Sequence, residues 1–374
     1  MKAAVIGSGL MGSVIGRDLA GSAGVDQVVV ADVDESRLEA LRKSVPGRRL
    51  AVEALDVKRT EAAVRFLKRF DVVVSALPHG AVHFSDVAAV RAGAKMVNIA
   101  FEDEQMDLDS EARKNGGILV PGCGLAPGLG GIVLAHALRE LGGGDEGHIL
   151  VGGLPQKPRP PYGYKLVFSI VGLLREYTDG ARVYRGGRLV KVAPFSTVEE
   201  VSFPKPVGRL EAFCTDGLAT LLYTMKGMRT LDEKTLRWPG HVDKMNLLLE
   251  TGFFSKDTVQ VGGKEISPLE LSWIILGRKL SEGDREDMTV MRVIAKGRKG
   301  TVTYDMLDHY DHKGGVTSMG RTTGYTASIV AQMIGSGRAS GRGVLAPETL
   351  VSGKLVAGLL DELAKRSVRF SNSR

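Results

Sequence analysis

A glycine-rich turn near the N-terminus constrains the fold more than any other feature of this sequence. The apolar run 3–6 is followed directly by Gly-Ser-Gly-Leu-Met-Gly at positions 7–12, and apolar residues then recur at helical spacing through Ala20. In a GxGxxG pattern between a strand and a helix, the glycines permit a tight turn, close approach of a pyrophosphate, and close packing of helix on strand. The pattern predicts a dinucleotide-binding β-α-β unit whose cofactor contacts include Gly7, Gly9, Leu10, Met11 and Gly12.

The acidic residue Asp32 predicts which dinucleotide binds. It ends the next apolar run, about 20 residues after the last glycine of the turn, where a ribose-binding carboxylate is expected. A carboxylate at this place accepts hydrogen bonds from a ribose 2′-hydroxyl and repels a 2′-phosphate, so NAD is favoured over NADP. Arg37 is near enough in the sequence to leave NADP open.

Further cofactor contacts are expected where later apolar runs end, because the carboxyl ends of parallel strands meet at the edge of the sheet where the cofactor lies. Asp56 follows the third run and is predicted near the adenine, although a solvated loop acid explains it equally well. The segment after the fourth run is predicted at the nicotinamide side, with a loop histidine of no special role as the alternative. It comprises Ala76, Leu77, Pro78 and His79.

The order of the apolar runs predicts an α/β fold. Buried-strand runs at residues 71–77, 95–100 and 117–120 alternate with helical patterns, as in a Rossmann fold with a doubly wound parallel sheet. Later in the chain, hairpin patterns at 183–190 and 289–310 predict an α+β second domain with an antiparallel sheet. A chain of 374 residues is also too long for one ordinary hydrophobic core.

The predicted domains are discontinuous. Residues 1–124 and 325–374 are expected to form the NAD-binding Rossmann domain. Residues 125–324 are expected to form the α+β domain. The return to the first domain is predicted because the helical pattern from Tyr325 has an apolar face, whereas the strands before it end near Tyr310.

Composition and charge argue against several classes of protein. The 50 basic residues are offset by 43 acidic ones along the chain, so no nucleic-acid partner is predicted despite a pI of 9.3. The uncharged run 116–138 is long enough to cross a membrane, but its prolines and glycines would break a spanning helix. The two cysteines imply no disulfide framework and suit the cytoplasm. We therefore expect a cytoplasmic protein without membrane attachment, and no metal site is expected.

A series of motifs, taken in order, resembles a known family. They are, after the glycine-rich turn, residues 121–128 (PGCGLAPG), 162–169 (YGYKLVFS), 172–178 (GLLREYT), 211–217 (EAFCTDG), 235–241 (TLRWPGH), 252–254 (GFF) and 317–325 (TSMGRTTGY). Over nearly its whole length the chain resembles the saccharopine dehydrogenase-like oxidoreductases, and within them most closely the lysine 6-dehydrogenases.

The resemblance implies NAD-dependent oxidative deamination of L-lysine at its 6-amino group, giving 2-aminoadipate 6-semialdehyde, ammonia and NADH. A protonated amine has no lone pair with which to expel a hydride, and the side-chain amine of free lysine has a pKa of about 10.4. The site must therefore take a proton from the 6-ammonium or bind its rare neutral form. The resemblance also implies a homodimer formed through the antiparallel sheet.

The catalytic candidates lie in the matching motifs. His241 is the side chain best suited to accept a proton near neutral pH. Asp216 is placed to hold the ammonium or to orient a base, and Lys165 is a third candidate if burial lowers its pKa. For each of them, a hydrogen-bonded structural role is the alternative.

The substrate-binding candidates come from the same motifs. Arg237 and Arg321 are expected to bind the substrate carboxylate, because a guanidinium pairs with a carboxylate in bidentate fashion. An ion pair within the protein is the alternative for either arginine. Tyr164 and Thr322 are the other expected substrate contacts.

Two other functions remain open from the sequence. A saccharopine- or carboxynorspermidine-type dehydrogenase would use the same hydride step but needs a site for an added carboxylate, which the basic segment, residues 157–191, would provide. A sensor that binds NAD without turnover is the alternative outside the enzymes. The basic segment contains Lys157, Arg159, Lys165, Arg175, Arg182, Arg185, Arg188 and Lys191, against the acids Glu176 and Asp179.

Overall fold

The protein divides into two units of structure, seen in a computed structural model that describes residues 1–45, 47 and 49–374. Unit 1 comprises Met1–Gly142, Leu218–Lys226 and Gly320–Phe370. Unit 2 comprises Gly143–Gly217, Gly227–Met319 and Ser371–Arg374. Strands and helices carry numbers that run along the chain through both units.

Unit 1 is built on a parallel sheet. Its strands are β1 (Lys2–Ile6), β2 (Gln27–Asp32), β3 (Leu50–Ala54), β4 (Val72–Ser75), β5 (Lys95–Asn98), β6 (Ile118–Val120) and β17 (Gly343–Val344). They lie in the order β17-β6-β5-β4-β1-β2-β3, so the direction of winding reverses at β1, as in a doubly wound fold. Every residue of β4 is buried, because helices cover both faces of such a sheet.

The helices of unit 1 connect these strands and complete the core. They are α1 (Leu10–Gly21), α2 (Glu35–Ser44), α3 (Thr60–Leu67), α4 (Val82–Ala92), α5 (Asp109–Lys114), α6 (Leu129–Glu140), α8 (Leu221–Thr224), α11 (Ser318–Gly335, in unit 1 from Gly320), α12 (Pro347–Leu350) and α13 (Lys354–Lys365). The start of α2 is fixed by Asp34, whose side chain accepts the backbone N–H groups of Ser36 and Arg37.

Unit 2 contains a mixed sheet and a small separate hairpin. The strands of the sheet are β7 (Gly144–Pro155), β8 (Ala181–Arg185), β9 (Arg188–Val192), β10 (Glu199–Phe203), β11 (Gly208–Cys214), β12 (Thr230–Arg237), β15 (Asp287–Gly297), β16 (Gly300–His309) and β18 (Phe370–Ser373). Their order is β10-β11-β12-β7-β15-β16-β18, and β8 pairs with both β12 and β9. The hairpin consists of β13 (Val259–Val261) and β14 (Lys264–Ile266).

The helices of unit 2 are α7 (Ile170–Thr178), α9 (His241–Glu250) and α10 (Pro268–Ser281). Because side chains alternate along a strand, Glu233, Thr235 and Arg237 of β12 lie on one face of the sheet. α7 lies against this face, since its residue Glu176 contacts Arg237. The face is therefore polar although α7 covers it.

The predicted fold class is confirmed, with a correction to the second sheet. The sequence predicted an antiparallel sheet in unit 2, and most of its pairs are antiparallel, but β7 and β12 run parallel. Parallel neighbours need a long crossover, and here the intervening chain carries α7 and β8 to β11.

The predicted domain boundaries also differ from those of the structure. The first lies after Gly142 rather than after residue 124, because α6 packs with α12 and α13 of unit 1. Leu218–Lys226 belongs to unit 1 as well, which no sequence pattern indicated. The return to unit 1 comes at Gly320 rather than at Tyr325, because α11 begins earlier than the helical pattern suggested.

Candidate active site

The glycine-rich turn between β1 and α1 is closely packed on its strand side. Gly7 has a φ of +97°, and a Cβ atom there would lie 2.6 Å from the carbonyl oxygen of Ala76. A Cβ atom on Gly12 would lie 1.8 Å from the carbonyl oxygen of Gly7. Gly9 instead faces open space, with nothing within 4 Å of the place a Cβ would take. The turn therefore leaves its backbone open at Gly9, where a pyrophosphate approaches in this motif.

The N-terminus of α1 is suited to an anion. Gly9 is the N-cap residue, no described side chain caps the helix, and the first turn contains no acidic residue. The first N–H groups of a helix lack intrahelical partners and lie at the positive end of its dipole. Leu10 is exposed and Met11 is half-buried beside them. These residues fit the pyrophosphate of a dinucleotide.

Asp32, the last residue of β2, holds a negative charge beside the turn. Its Oδ2 atom accepts the backbone N–H and the hydroxyl of Ser8 at 2.6 and 2.8 Å, and its Oδ1 atom accepts the N–H of Asp34 at 3.0 Å. Burial opposes the charge, but these hydrogen bonds outweigh it and keep the pKa of Asp32 below its usual range. Arg37 is exposed and pairs with Asp34 at 3.0 Å.

The other predicted cofactor residues also follow strands of unit 1. The segment Ala76, Leu77, Pro78 and His79 begins directly after β4, and Ala76 packs on Gly7. His79 is exposed, and its Nδ1 atom lies 3.2 Å from Oε1 of Glu102. Asp56 has a local role, because its carboxylate accepts the N–H of Lys58 at 3.0 Å in the turn that leads into α3.

A buried carboxyl group that the sequence analysis missed supports the loop after β5. Asp86 of α4 is fully buried and accepts the side-chain amides of Asn98 and Gln105, each at 2.8 Å. Gln105 in turn accepts the backbone N–H of Glu102 at 2.8 Å. Burial raises the pKa of Asp86 to about 7. This network fixes the backbone that carries Glu102, the partner of His79.

In unit 2, Arg237 is the centre of a buried cluster of polar side chains. Arg237 is 2% exposed, its guanidinium pairs with Glu176 of α7, and its Nε atom donates to the Tyr177 hydroxyl at 3.3 Å. The same guanidinium lies 4.4 Å from the centre of the Tyr164 ring. Arg237 is therefore already neutralised within the protein, and the alternative of an internal ion pair fits it better than a substrate carboxylate does.

His241 belongs to the same cluster and has no free ring nitrogen. It is 1% exposed, with Nδ1 2.8 Å from the carbonyl oxygen of Tyr162 and Nε2 2.9 Å from the hydroxyl of Tyr177. Because a carbonyl only accepts, Nδ1 carries the proton and Nε2 accepts from Tyr177. Burial, with the charge of Arg237, lowers the pKa of His241 to about 3. The expectation that His241 accepts a proton near neutral pH is therefore not supported.

The other two catalytic candidates are engaged elsewhere in unit 2. The Nζ atom of Lys165 donates to the carbonyl oxygens of Ser281, Glu282 and Gly283 at 3.3, 2.9 and 3.1 Å, which places the ammonium at the end of α10. Burial lowers the pKa of Lys165. The carboxylate of Asp216 pairs with Arg182 at 3.0 Å and also accepts its backbone N–H. The structure thus assigns helix-capping and ion-pairing contacts to these two residues.

Three polar groups of unit 2 have no hydrogen-bond partner among the described residues: the Glu233 carboxylate, the Tyr164 hydroxyl and the buried Nε1 atom of Trp273. Glu233 of β12 is 5% exposed, and its carboxylate receives no hydrogen bond or ion pair from a described side chain or backbone group. The hydroxyl of Tyr164, a predicted substrate contact that is 7% exposed, also has no partner. Sequence analysis missed Glu233, because a carboxylate inside an alternating strand is usually on the solvent side.

The last two predicted substrate contacts, Arg321 and Thr322, lie on α11 within unit 1. The Arg321 guanidinium donates to the carbonyl oxygen of Arg366 at 2.8 Å and lies 5.6 Å from the ring centre of Tyr325. Thr322 is fully buried. Arg321 and Thr322 thus belong to unit 1, whereas Arg237 and its cluster belong to unit 2.

Two further features of the described residues concern membranes and metal ions. None of the helices in the described ranges is both long and apolar enough to cross a membrane. Within residues 1–45, 47 and 49–374, no group of three or more His, Cys, Asp or Glu side chains is arranged to hold a metal ion.

The fold and the glycine-rich turn define a class, the Rossmann-type oxidoreductases that bind a pyridine nucleotide. Residues 3–120 match the family model described as the saccharopine dehydrogenase NADP binding domain. Residues 124–368 match the model described as the saccharopine dehydrogenase C-terminal domain. The chain belongs to the saccharopine dehydrogenase family.

Individual relatives match along nearly the whole chain. The saccharopine dehydrogenase (NADP(+), L-glutamate-forming) of Schizosaccharomyces pombe is 23% identical over 92% of this chain and 92% of its own. The carboxyaminopropylagmatine dehydrogenase of Synechocystis is 22% identical over 93% of this chain and 92% of its own. The structure of apo saccharopine dehydrogenase (L-Glu forming) from Saccharomyces cerevisiae superposes with a TM-score of 0.78 at 20% identity, covering 100% of both chains, which shows a common fold.

Membership of this family confirms the prediction of an NAD(P)-dependent oxidoreductase that acts on a CH–NH or CH–NH2 group. The two curated relatives above are named for saccharopine and for carboxyaminopropylagmatine, not for lysine. The choice of substrate and the choice between NAD and NADP therefore go beyond what the family establishes.

Proposed function

We propose that this protein catalyses the NAD-dependent oxidative deamination of L-lysine at its 6-amino group. The products would be 2-aminoadipate 6-semialdehyde, ammonium and NADH, with one water consumed and one proton released. The observation that carries the choice of lysine is that the two partly buried arginines of the basic segment that form ion pairs, Arg182 and Arg185, are already paired with acids of the protein. Saccharopine carries more carboxylates than lysine and would need such cations to be free.

The basic segment, residues 157–191, supports this choice. Half of its cations pair with carboxylates of unit 2, and Lys165 is bound to backbone carbonyls. The remaining three, Lys157, Arg188 and Lys191, are exposed to solvent. The ion pairs are Arg159–Asp284, Arg175–Asp179, Arg182–Asp216 and Arg185–Asp232, with N···O distances from 2.6 to 3.1 Å.

The four ion pairs differ in solvent exposure, and only the less exposed pairs argue against binding of a substrate carboxylate. Arg159 and Arg175 form exposed pairs, which contribute little and exchange readily with other anions. Arg182 and Arg185 are partly buried, and the partner of Arg185, Asp232, is almost fully buried. A substrate carboxylate would have to break these pairs and take Arg185 away from the buried carboxylate of Asp232, which would then keep only its contact with His148 at 2.7 Å, and this is costly. The sequence-based suggestion of a second carboxylate site in this segment is therefore disfavoured.

For the cofactor, we propose NAD. Support comes from the ionised carboxylate of Asp32 and from Arg37, which pairs with Asp34 instead of presenting a free guanidinium. A 2′-phosphate beside Asp32 would meet a negative charge with no compensating cation from Arg37. The name of the Schizosaccharomyces pombe relative includes NADP(+), so this chain would differ from that relative in its cofactor.

In this proposal the residues of the chain have the following roles. A bound NAD would supply the acceptor for the hydride from C6 of the substrate. The turn at Gly9 and the start of α1 would hold its pyrophosphate, and Asp32 would bind its ribose. His79, with Glu102 at 3.2 Å, replaces His241 as the candidate proton acceptor, because it is exposed at the carboxyl end of β4. The expected homodimer stays a prediction.

The proposal is tested by following NADH formation with L-lysine, saccharopine, carboxynorspermidine or carboxyaminopropylagmatine as the only added substrate, and with NAD or NADP. We expect lysine with NAD to give the highest kcat/KM. A higher kcat/KM with saccharopine or with one of the carboxylated polyamines would identify that compound, and not lysine, as the substrate. Binding of NAD without turnover of any of them would favour the sensor.

A further inference from the structure

Helix α10 of unit 2 is apolar on two opposite faces. Its inner face includes Leu276 and Leu280, which are buried in the core of the unit. Its outer face carries Leu271, Ile274 and Ile275, which are 45%, 53% and 55% exposed. Residues three and four apart lie on the same side of a helix, so these three side chains form one stripe. A helix that is apolar all round is normally covered on every side, so the outer face of α10 lacks a cover.

Exposed apolar side chains are concentrated around this helix. Among the described residues, seven of the twelve large apolar side chains that are exposed lie between residues 247 and 275 of unit 2. They include Phe253, whose carbonyl oxygen accepts the hydroxyl of Ser272 of α10 at 2.8 Å. Because Ser272 lies one turn before Ile275, the backbone of Phe253 lies beside the outer stripe. Single exposed apolar residues are ordinary, whereas a cluster of them marks a surface that another molecule covers.

The charged residues of the outer face are arranged symmetrically about Ile274. Glu270 lies one turn before Ile274 and Arg278 lies one turn after it, so the three residues form a row along the exposed side. Neither charged side chain has an ion pair or a hydrogen bond with the described residues. An acid in the first turn and a base in the last turn also suit the helix dipole. The dipole, however, does not account for the apolar stripe between them.

We propose that the outer face of α10 binds the same face of a second copy of this chain, with the two helices antiparallel and crossing at Ile274. Such a two-fold contact places Glu270 opposite the partner's Arg278, and Arg278 opposite the partner's Glu270. The two apolar stripes meet between these ion pairs. A parallel contact would instead bring like charges together at both ends. This surface is separate from the antiparallel sheet, through which the family resemblance implied a dimer.

The choice of a second copy rests on this self-complementarity. A lipid surface would accept the apolar stripe, but helices that lie on membranes carry mainly Lys and Arg on their polar side, and Glu270 would be repelled by anionic lipids. A second α10 presents the same two charges in the reverse order, with apolar side chains between them. An interface with an apolar centre and a charged rim is typical of protein contacts. Since a stable contact covers about 800 Å² of each partner, we expect Phe253 and its exposed neighbours to enlarge it.

The test is the molar mass of the full-length protein in solution, measured by analytical ultracentrifugation over a range of concentrations. We expect Ile274→Glu to halve the mass of the wild-type assembly, because two like charges would meet at the crossing point. Glu270→Arg and Arg278→Glu should each raise the dissociation constant about tenfold or more, since each change turns two attractions into two repulsions. The double variant Glu270→Arg/Arg278→Glu only exchanges the charges, so its dissociation constant should return to that of the wild type. An equimolar mixture of the two single variants should also associate.

The matched control is Leu189→Glu, at an apolar residue of β9 in the same unit that is 50% exposed, and it should leave the mass unchanged. Because all of the changed residues are exposed, the variants should unfold in urea like the wild type. A wild type that stays monomeric at every concentration would overturn the proposal, and binding of that monomer to lipid vesicles would make a membrane the occupant. An assembly that Ile274→Glu leaves intact would also overturn it, and loss of association in Leu189→Glu instead would place the interface on the sheet. A double variant that stays as weak as the single variants would refute the antiparallel arrangement.

Discussion

Ser8 donates both its backbone N–H and its hydroxyl to a single carboxylate oxygen of Asp32, at 2.6 and 2.8 Å. Ser8 is the second residue of the glycine-rich turn, so this pair joins the pyrophosphate loop to the end of β2. Hydrogen bonds to a carboxylate favour its ionised form and fix its direction. The pair thus holds a negative charge at the place where a dinucleotide ribose is recognised.

The first prediction concerns this charge. Asp32→Ala should raise the KM for NAD about tenfold, equivalent to about 1.4 kcal/mol, and narrow the preference for NAD over NADP by a similar factor. The physical reason is the loss of an acceptor for the ribose hydroxyls together with the loss of repulsion toward a 2′-phosphate. Initial rates with each cofactor at saturating substrate measure both effects.

Glu39→Gln is a suitable control for Asp32, because Glu39 is an exposed acid on α2 that pairs with Arg42. Its cofactor preference should match that of the wild type. If Asp32→Ala also leaves the preference for NAD over NADP unchanged, another residue determines the choice between the two cofactors.

The second prediction is that His241 contributes to stability and not to proton transfer. Its folded pKa of about 3 lies below the value of about 6.5 expected in the unfolded chain. A group with a lowered basic pKa binds fewer protons when folded, so its contribution is lost as the pH falls from about 6.5 toward 3. His241→Ala should lower the free energy of unfolding at pH 7 by about 2–4 kcal/mol, through lost hydrogen bonds and packing.

A pH–rate profile separates this structural role from catalysis. Between pH 5.5 and 9, the acid limb of kcat/KM should keep its midpoint in His241→Asn, whereas in His79→Asn it should shift or disappear. A midpoint that moves in His241→Asn but not in His79→Asn would restore His241 as the proton acceptor.

The two halves of the site were not equally predictable from the sequence. The cofactor residues lie within a few positions of strand ends, so the spacing from Gly12 to Asp32 is set by one strand-helix-strand unit. For these cofactor residues, position in the sequence therefore predicts position in the structure. In unit 2, Tyr164 lies before α7, Glu176 lies on α7 and Arg237 lies on β12, and only the folded structure brings these three residues together.

The partners of the charged residues in unit 2 could not be predicted from the sequence. Asp216 and Lys165 stand in motifs that suggest chemistry, but their partners Arg182 and the carbonyl of Glu282 are distant in the chain. Glu233 is the opposite case, since nothing in its sequence neighbourhood marks it as buried or unpaired. The sequence shows which residues are charged, whereas the fold determines which of these residues have a partner.

The third prediction is that Lys165 stabilises the C-terminal end of α10 and takes no part in catalysis. Lys165→Met should lower the free energy of unfolding by about 1 kcal/mol, because the ammonium satisfies carbonyls at the negative end of the helix dipole. The pH dependence of kcat should keep its wild-type midpoints. Lys264→Met, at an exposed position on β14, is the control and should leave stability within about 0.5 kcal/mol of the wild type. A large fall in kcat with unchanged stability would make Lys165 a catalytic group.

The last prediction is that Glu233 makes the protein less stable as the pH rises. The pKa of Glu233 is raised from about 4.5 to about 8 in the folded state, so the folded chain binds its proton more tightly than the unfolded chain does. This contribution is fully present below about pH 4.5 and is lost as the pH rises through 8. Glu233→Gln removes the titration, so its advantage over the wild type should be small at pH 5 and grow to about 2 kcal/mol or more by pH 9. Urea unfolding of both proteins at several pH values measures the difference, and Glu265→Gln, at an exposed carboxylate on β14, should show no such trend. A difference between Glu233→Gln and the wild type that stays constant from pH 5 to 9 would mean that Glu233 ionises normally in the folded protein, and that its carboxylate has a partner or water contact that compensates for its burial.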